Sequence, residues 1–121
     1  MEDLLKRYFE YVNNDAFDQL MELWHEDGEF NMPLQKKLTG KAEIRKFYET
    51  MPKVYAEHED DPYDFIMGDN KVAIRIAVKN KTHDGKMVDL EALSWMTFED
   101  GKIKSANVLY DSAKALKALK G

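Results

Sequence analysis

Residues 24–48, WHEDGEFNMPLQKKLTGKAEIRKFY, decide the fold of this 121-residue chain. The stretch ends one amphipathic helix, crosses a short strand over 29–34 and turns through Thr39-Gly40. A further helix then begins, because apolar residues recur three and four positions apart at 44, 47, 48 and 51. Pro33 indicates the end or the edge of a strand, and Pro52 stops or kinks the helix.

Two amphipathic helices are predicted before and into that stretch. Apolar residues at helical spacing place the first over residues 3–13. Asp15 is expected to cap the second helix, whose buried stripe is Phe17, Leu20, Met21 and Trp24. The turn dipeptide Asp27-Gly28 separates this helix from the strand.

The second half of the chain predicts antiparallel hairpins. An irregular edge strand is expected from about 56 to 67, because an acidic run followed by Pro62 is unsuited to a central strand. Strict alternation predicts the next strand over 72–78, and turn residues follow it at 83–86. Strands over 87–98 and 103–110 flank a second hairpin turn.

Helices first and hairpins afterwards predict an α+β fold. Three N-terminal helices are expected to pack on one face of a curved antiparallel sheet. Asp111 or Ser112 is expected to cap a short C-terminal helix. The length favours a single domain over residues 1–121.

The composition excludes several functional classes. With 44% hydrophobic and 34% charged residues, the chain has no apolar run long enough to cross a bilayer, and we expect no membrane partner. The N-terminus is amphipathic and lacks the design of a secretory signal, so a cytoplasmic location is expected. There is no cysteine, which excludes disulfides and thiolate chemistry. A net charge of -5 with scattered lysines predicts no nucleic-acid partner.

Four segments carry a resemblance to a known superfamily and together cover nearly the whole chain. RYFEYV at 7–12 and WHEDGEFNMP at 24–33 are similar to the opening of ketosteroid isomerases. TGKAEIRKFY at 39–48 and SWMTFEDGKI at 94–103 resemble their third helix and their penultimate hairpin. The chain thus resembles ketosteroid isomerases and SnoaL-like polyketide cyclases of the nuclear-transport-factor-2-like superfamily. The resemblance implies a cone-shaped, cystatin-like α+β barrel with a pocket between sheet and helices.

The resemblance assigns expected roles to three residues. Tyr8 stands where the isomerases place the tyrosine that donates a hydrogen bond to the steroid oxyanion; the alternative is a core tyrosine. Ser94 stands at the position of their second oxyanion donor, unless it is simply a small residue packed in the sheet. Met32 replaces their aspartate base, and a thioether cannot accept the proton, so steroid isomerisation by that route is not expected.

Asp111 resembles an acid/base aspartate of SnoaL-like proteins near the last strand. Its alternative role is the N-cap of the closing helix, and both roles are compatible. The expected ligand pocket comprises Phe30, Met32, Tyr48, Met51, Met96 and Asn107, although one bulge in the last strand would turn Asn107 to the other face.

Other chemistries have little support in the sequence. His25, His58 and His83 share no metal-ligand spacing, so we expect no metal, and no phosphate loop or serine-hydrolase elbow is present. Arg75 with Asp89 or Glu91 resembles the water-activating sets of epoxide hydrolases, but a cross-strand ion pair is the alternative. Asp27 is interpreted as structural. We expect no cofactor.

Two functional hypotheses follow. The first is a cofactor-free isomerase, cyclase or dehydratase, or a relative of one, that acts on a hydrophobic, carbonyl-bearing small molecule. The second is a non-catalytic, dimeric binding or protein-interaction module of the same fold. Leu93 and Trp95 alternate away from the apolar row of their strand, which predicts a homodimer through the outer face of the sheet.

Overall fold

A computed structural model describes residues Met1–Gly121 and contains four helices and six strands. In chain order the elements are α1 (Glu2–Asn13), α2 (Phe17–Leu23), β1 (Trp24–Asn31), β2 (Leu38–Thr39), α3 (Lys41–Val54), β3 (Tyr55–Gly68), β4 (Lys71–Thr82), β5 (Met87–Glu99), β6 (Lys102–Tyr110) and α4 (Ser112–Lys120). The α+β class and the sequence of helices and hairpins are confirmed. None of the helices has the length and apolar content that a membrane crossing requires.

The six strands form one curved, mixed sheet in the order β2-β1-β6-β5-β4-β3. The hairpins β3–β4, β4–β5 and β5–β6 are antiparallel, as predicted, and β3 is an edge strand. The expectation of an entirely antiparallel sheet is wrong at one pairing. β1 runs parallel to β6, because one helix and four strands separate the two along the chain and no hairpin joins them.

The helices pack against one face of the sheet and enclose a core of 19 buried residues. The core takes α1 residues at helical spacing and alternate residues of β4 and β5, which is the pattern that the sequence predicts. Trp24, Leu20, Ile44, Ile74 and Ile103 are fully buried at its centre. These side chains fix how the helices lie on the sheet.

The start of β1 differs from the prediction. Trp24 is the first residue of β1 and no part of a helix, and Asp27-Gly28 lies inside the strand, where no turn forms. The pairing of β1 with β6 shifts between Trp24 and Glu29, which is typical of a β-bulge. A Cβ at Gly28 would lie 2.7 Å from Cε3 of Trp24, so the indole occupies the space that any other residue would need. Gly28 is therefore a packing residue.

The corner between α1 and α2 also corrects a prediction. Asp15 does not cap α2; the N-cap position is Ala16, which makes no side-chain cap hydrogen bond. Asp15 has a positive φ of 54°, in the left-handed region that aspartate tolerates. From this position its carboxylate contacts His58 of β3, with Oδ1 and Nε2 2.8 Å apart.

Candidate functional site

A cavity of about 320 Å³ lies between the helices and the inner face of the sheet. Twenty of its 25 lining residues are hydrophobic, and they come from α1, α3, α4, five strands and the loop after β1. Its polar residues apart from tyrosines are Gln35, Asp60, Asn80 and Ser94. An apolar cavity with a few polar groups is the usual form of a small-molecule site.

A second depression, of about 550 Å³, lies between α1 and the end of β3. Its charged lining residues, Glu2 and Lys6, are both exposed. Because solvent screens those charges, this depression contains no group suited to proton transfer or to oriented hydrogen bonding. The apolar cavity is the better candidate site.

Two tyrosines form a hydrogen-bonded pair on the cavity wall. Tyr8 projects from α1 and Tyr48 from α3, and their hydroxyl oxygens are 2.6 Å apart. Burial raises the pKa of both phenols, so both remain protonated donors. One hydroxyl donates to the other, which leaves the second proton free for a ligand. The Nε1 of Trp24 lies near Tyr48 but makes no hydrogen bond of acceptable geometry.

Asp60 carries the only carboxyl group on the cavity wall. It retains some exposed area because the cavity is open, yet protein atoms surround its carboxyl group on most sides. This loss of water raises the pKa of Asp60 to about 6; the charge of His58 lowers that pKa and the charge of Glu59 raises it, as smaller effects. The charge of Asp60 in turn helps to raise the pKa of Tyr8 and Tyr48.

The backbone around Asp60 is fixed by side chains from other elements. Asn13 binds both backbone groups of Asp60: its Nδ2 donates to the carbonyl at 2.9 Å, and its Oδ1 accepts from the N–H at 2.8 Å. His58, with a side chain only 7% exposed, contacts Asp15. The N–H of Glu59 donates to Oδ1 of Asn80 at 3.4 Å. The Asp60 carboxylate itself accepts no hydrogen bond and forms no ion pair with the protein, which is unusual for a group so largely enclosed.

The comparison with protein families decides the classification. The model of the SnoaL-like domain matches residues 5–106. The chain belongs to the SnoaL-like domain family. This confirms the relationship to the nuclear-transport-factor-2-like superfamily that the sequence predicted.

Solved structures share the fold of this SnoaL-like domain at low sequence identity. An NTF2-like protein of unknown function from Burkholderia pseudomallei has a TM-score of 0.91 and 16% identity, covering 99% of this chain and 97% of the other. TerC, co-crystallised with polyporic acid, has a TM-score of 0.89 and 17% identity over 98% and 97% of the two chains. An LEH-like epoxide hydrolase from M. tuberculosis has a TM-score of 0.83 and 13% identity over 98% and 87%. A search among curated proteins found no match.

Most residues expected in the pocket of the SnoaL-like domain line the one cavity. These are Tyr8, Ser94, Phe30, Met32, Tyr48 and Met51. Ser94 is buried on the inner face of β5, and its hydroxyl makes no hydrogen bond to the protein. Met32 lies just beyond the end of β1. The cavity therefore brings together Tyr8, Ser94 and Met32, the three residues to which the resemblance assigns roles.

Three expected site residues lie outside the lining. Asp111 is exposed and caps α4, where its Oδ1 accepts from the N–H of Lys114 at 3.0 Å. Met96 is 1% exposed and packed in the core, between Val72 and Ala106 of the neighbouring strands. Asn107 alternates to the outer face of β6 and accepts a hydrogen bond from Asn31 Nδ2 at 2.9 Å. Asp111 therefore serves as a helix cap and does not reach the cavity.

Asp60 is the site residue that the sequence reasoning missed. It lies within an acidic run, whose composition predicts only an irregular edge strand. The overlooked signal is the alternation within that run: Glu57, Glu59 and Asp61 are exposed, whereas His58, Asp60 and Pro62 are partly buried on the inner face. Arg75, in contrast, pairs with Glu91 at 2.9 Å on the exposed face, as a cross-strand ion pair would.

Proposed function

We propose that this SnoaL-like domain binds a hydrophobic, carbonyl-bearing small molecule in the cavity and transfers a proton within it without a cofactor. The observation that carries the proposal is Asp60: one carboxyl group in an otherwise apolar cavity, next to a pair of hydroxyl donors. A group whose pKa is about 6 is mostly ionised near neutral pH and still basic enough to accept a proton.

Each group has a defined role in the proposed reaction. The Asp60 carboxylate accepts a proton from the carbon next to the substrate carbonyl. The electron pair of that C–H bond forms a carbon–carbon double bond, and the π pair of the carbonyl moves onto its oxygen to give an enolate. The free hydroxyl proton of the Tyr8–Tyr48 pair donates a hydrogen bond to the oxygen as it becomes negative. Asp60 then returns its proton to the same or another carbon, so that the group is regenerated. The Ser94 hydroxyl is a further donor to the ligand on the same wall.

Hydrogen exchange into β-tetralone tests this proposal directly. The wild-type protein in deuterium oxide is expected to exchange the protons next to the ketone faster than buffer, as read by proton NMR. Asp60→Asn should abolish the enhancement. Tyr8→Phe should lower it about 100-fold or more, by analogy with the loss of one oxyanion donor elsewhere. Asp61→Asn, one residue along and exposed, is the matched control and should leave the rate unchanged. A wild-type rate equal to that of buffer would remove proton transfer from the proposal.

The second candidate is a non-catalytic binding module of the same fold. Met32 favours it, because this residue lines the cavity where related isomerases carry their general base. Under this alternative, β-tetralone would raise the melting temperature of the protein without any enhanced exchange. The two measurements together distinguish binding from catalysis.

We further propose a homodimer through the outer face of the sheet. Leu93, Trp95 and Leu109 are 44%, 53% and 65% exposed, and Leu93 and Leu109 are direct partners on neighbouring strands. Apolar side chains gathered in this way on a sheet face commonly form an interface between subunits.

A further inference from the structure

The Asp60 carboxylate has no counter-charge on the cavity wall. No lysine, arginine or histidine is among the lining residues, and the carboxylate accepts no hydrogen bond from the protein. An ionised group that is deprived of water and left unpaired is costly, and a bound cation would remove that cost. The cavity therefore contains a carboxylate for which its own residues provide no positively charged partner.

The charged groups around Asp60 do not supply the missing positive charge. His58 lies two residues before Asp60 on the same face of β3, but the imidazole of His58 is engaged by Asp15. Glu59, between them in the chain, adds another negative group. Asp15 therefore engages the one imidazole near Asp60 while Glu59 adds negative charge, and the field at Asp60 favours a positively charged ligand.

The rest of the wall suits the same guest. Seven aromatic residues line the cavity: Tyr8, Phe9, Phe30, Phe47, Tyr48, Tyr55 and Tyr110. The faces of aromatic rings attract cations, and walls of this kind bind amines and quaternary ammonium groups in proteins. A free carboxylate and aromatic faces in one cavity are complementary to an ammonium group joined to a hydrophobic body.

We propose that the ligand of this cavity is a hydrophobic molecule that carries a protonated amine, with Asp60 as its counter-ion. This names the ligand class for the binding proposed above and rests on that proposal, but it does not depend on proton transfer. The Tyr8–Tyr48 pair remains available to an oxygen of the same molecule. Carboxylates and phosphates are disfavoured, because they would face Asp60 with no cation to receive them.

Three probes of matched shape test the proposal by calorimetry near neutral pH: phenethylamine, phenethyl alcohol and phenylacetate. The amine should bind about ten-fold more tightly than the alcohol, which corresponds to roughly 1.4 kcal/mol, and phenylacetate most weakly. Asp60→Asn should make the amine and the alcohol equal. The matched control Asp61→Asn should keep the preference of the wild-type protein.

A pH series on the wild-type protein tests the same point without a variant. Phenethylamine stays charged across the acidic range, so its affinity should fall as Asp60 is protonated below about pH 6, whereas the affinity of the alcohol should not. Equal affinities for amine and alcohol, or an amine preference that persists in Asp60→Asn, would overturn the proposal. If none of the three probes binds, the proposal of an amine ligand is also overturned. Binding of β-tetralone then shows separately whether the cavity binds small molecules at all.

Discussion

The function proposed for this domain depends on three side chains, Asp60 and the hydrogen-bonded pair Tyr8 and Tyr48. The tyrosines lie on separate helices, and their hydroxyl oxygens meet at 2.6 Å because α1 and α3 both pack against β3. Asp60 reaches the same cavity from the edge strand β3, where Asn13 holds its backbone. A carboxyl group in this position has a cost in stability that is measurable and depends on pH.

The first prediction concerns that cost. The pKa of Asp60 is raised from 3.8 to about 6 in the folded protein, so the native state binds its proton more tightly than the unfolded state. Stability from this group is fully present below pH 3.8 and is lost as the pH rises through about 6. Near pH 8, Asp60→Asn is therefore expected to raise the free energy of unfolding by about 3 kcal/mol relative to wild type, because the shift is about two pKa units and each unit corresponds to about 1.4 kcal/mol.

Urea unfolding at a series of pH values measures this difference. The gap between Asp60→Asn and wild type should close as the pH falls from about 6 to about 4. Asp61→Asn, at an exposed position, should follow wild type throughout. A constant gap between Asp60→Asn and wild type at all pH values would mean that the carboxyl group is not desolvated.

The sequence could predict part of this site. Tyr8 and Tyr48 fall on apolar helix faces, and helical spacing is enough to direct them inwards. Asp60 could not be recognised from composition, because its burial depends on a strand register set by irregularities at both ends of an acidic run. The sequence predicts Asp111 as a cap of α4, as observed. Whether the carboxylate of a capping residue also reaches a cavity depends on the tertiary packing of the helix, which the sequence does not give.

Among the elements, β1 shows how tertiary packing overrides a local turn signal. Asp27-Gly28 is typical of a turn, yet the strand continues through it because Trp24 packs its ring over the glycine. The strands β4, β5 and β6 were predictable, since alternation and hairpin residues are local signals. The parallel pairing of β1 with β6 was not, because it joins segments far apart in the chain.

The second prediction tests the packing of β1. Gly28→Ala is expected to lower the free energy of unfolding by about 1–3 kcal/mol, because the new methyl group would overlap the fully buried Trp24 ring. Chemical denaturation provides the measurement. Gly68→Ala is the matched control: its nearest neighbours are the flexible methylenes of Lys71, so its cost should stay below about 0.5 kcal/mol. An equally mild effect at Gly28 would contradict the role assigned to this glycine.

The whole molecule combines a ligand cavity on the inner face of a sheet with an apolar patch on the outer face. The helices, α4 included, cover the inner face, whereas no part of the chain covers Leu93, Trp95 and Leu109 on the outer face. The same strand, β5, therefore contributes Ser94 to the cavity and its two neighbours in sequence to the patch. A second copy on the patch would stiffen the strand that lines the site.

The third prediction concerns assembly. Light scattering of the wild-type protein is expected to give twice the monomer mass of 14.1 kDa. Trp95→Glu should shift the mass towards the monomer, because a charge would be buried within the apolar interface. Val54→Glu, at an exposed apolar position at the end of α3, should leave the dimer intact. A monomeric wild-type protein, or a dimer unaffected by Trp95→Glu, would remove the outer face as the interface.

The carboxyl group of Asp60 is the centre of the proposed site, and its titration is the most direct measurement of that centre. Carbon-detected NMR of the side-chain carboxyl, assigned by comparison with Asp60→Asn, gives its pKa in the folded protein. A midpoint near 6 is expected, with a downward shift when phenethylamine is bound. A midpoint near 3.8, the ordinary value for aspartate, would show a solvated surface group and would contradict both the proton transfer and the amine site.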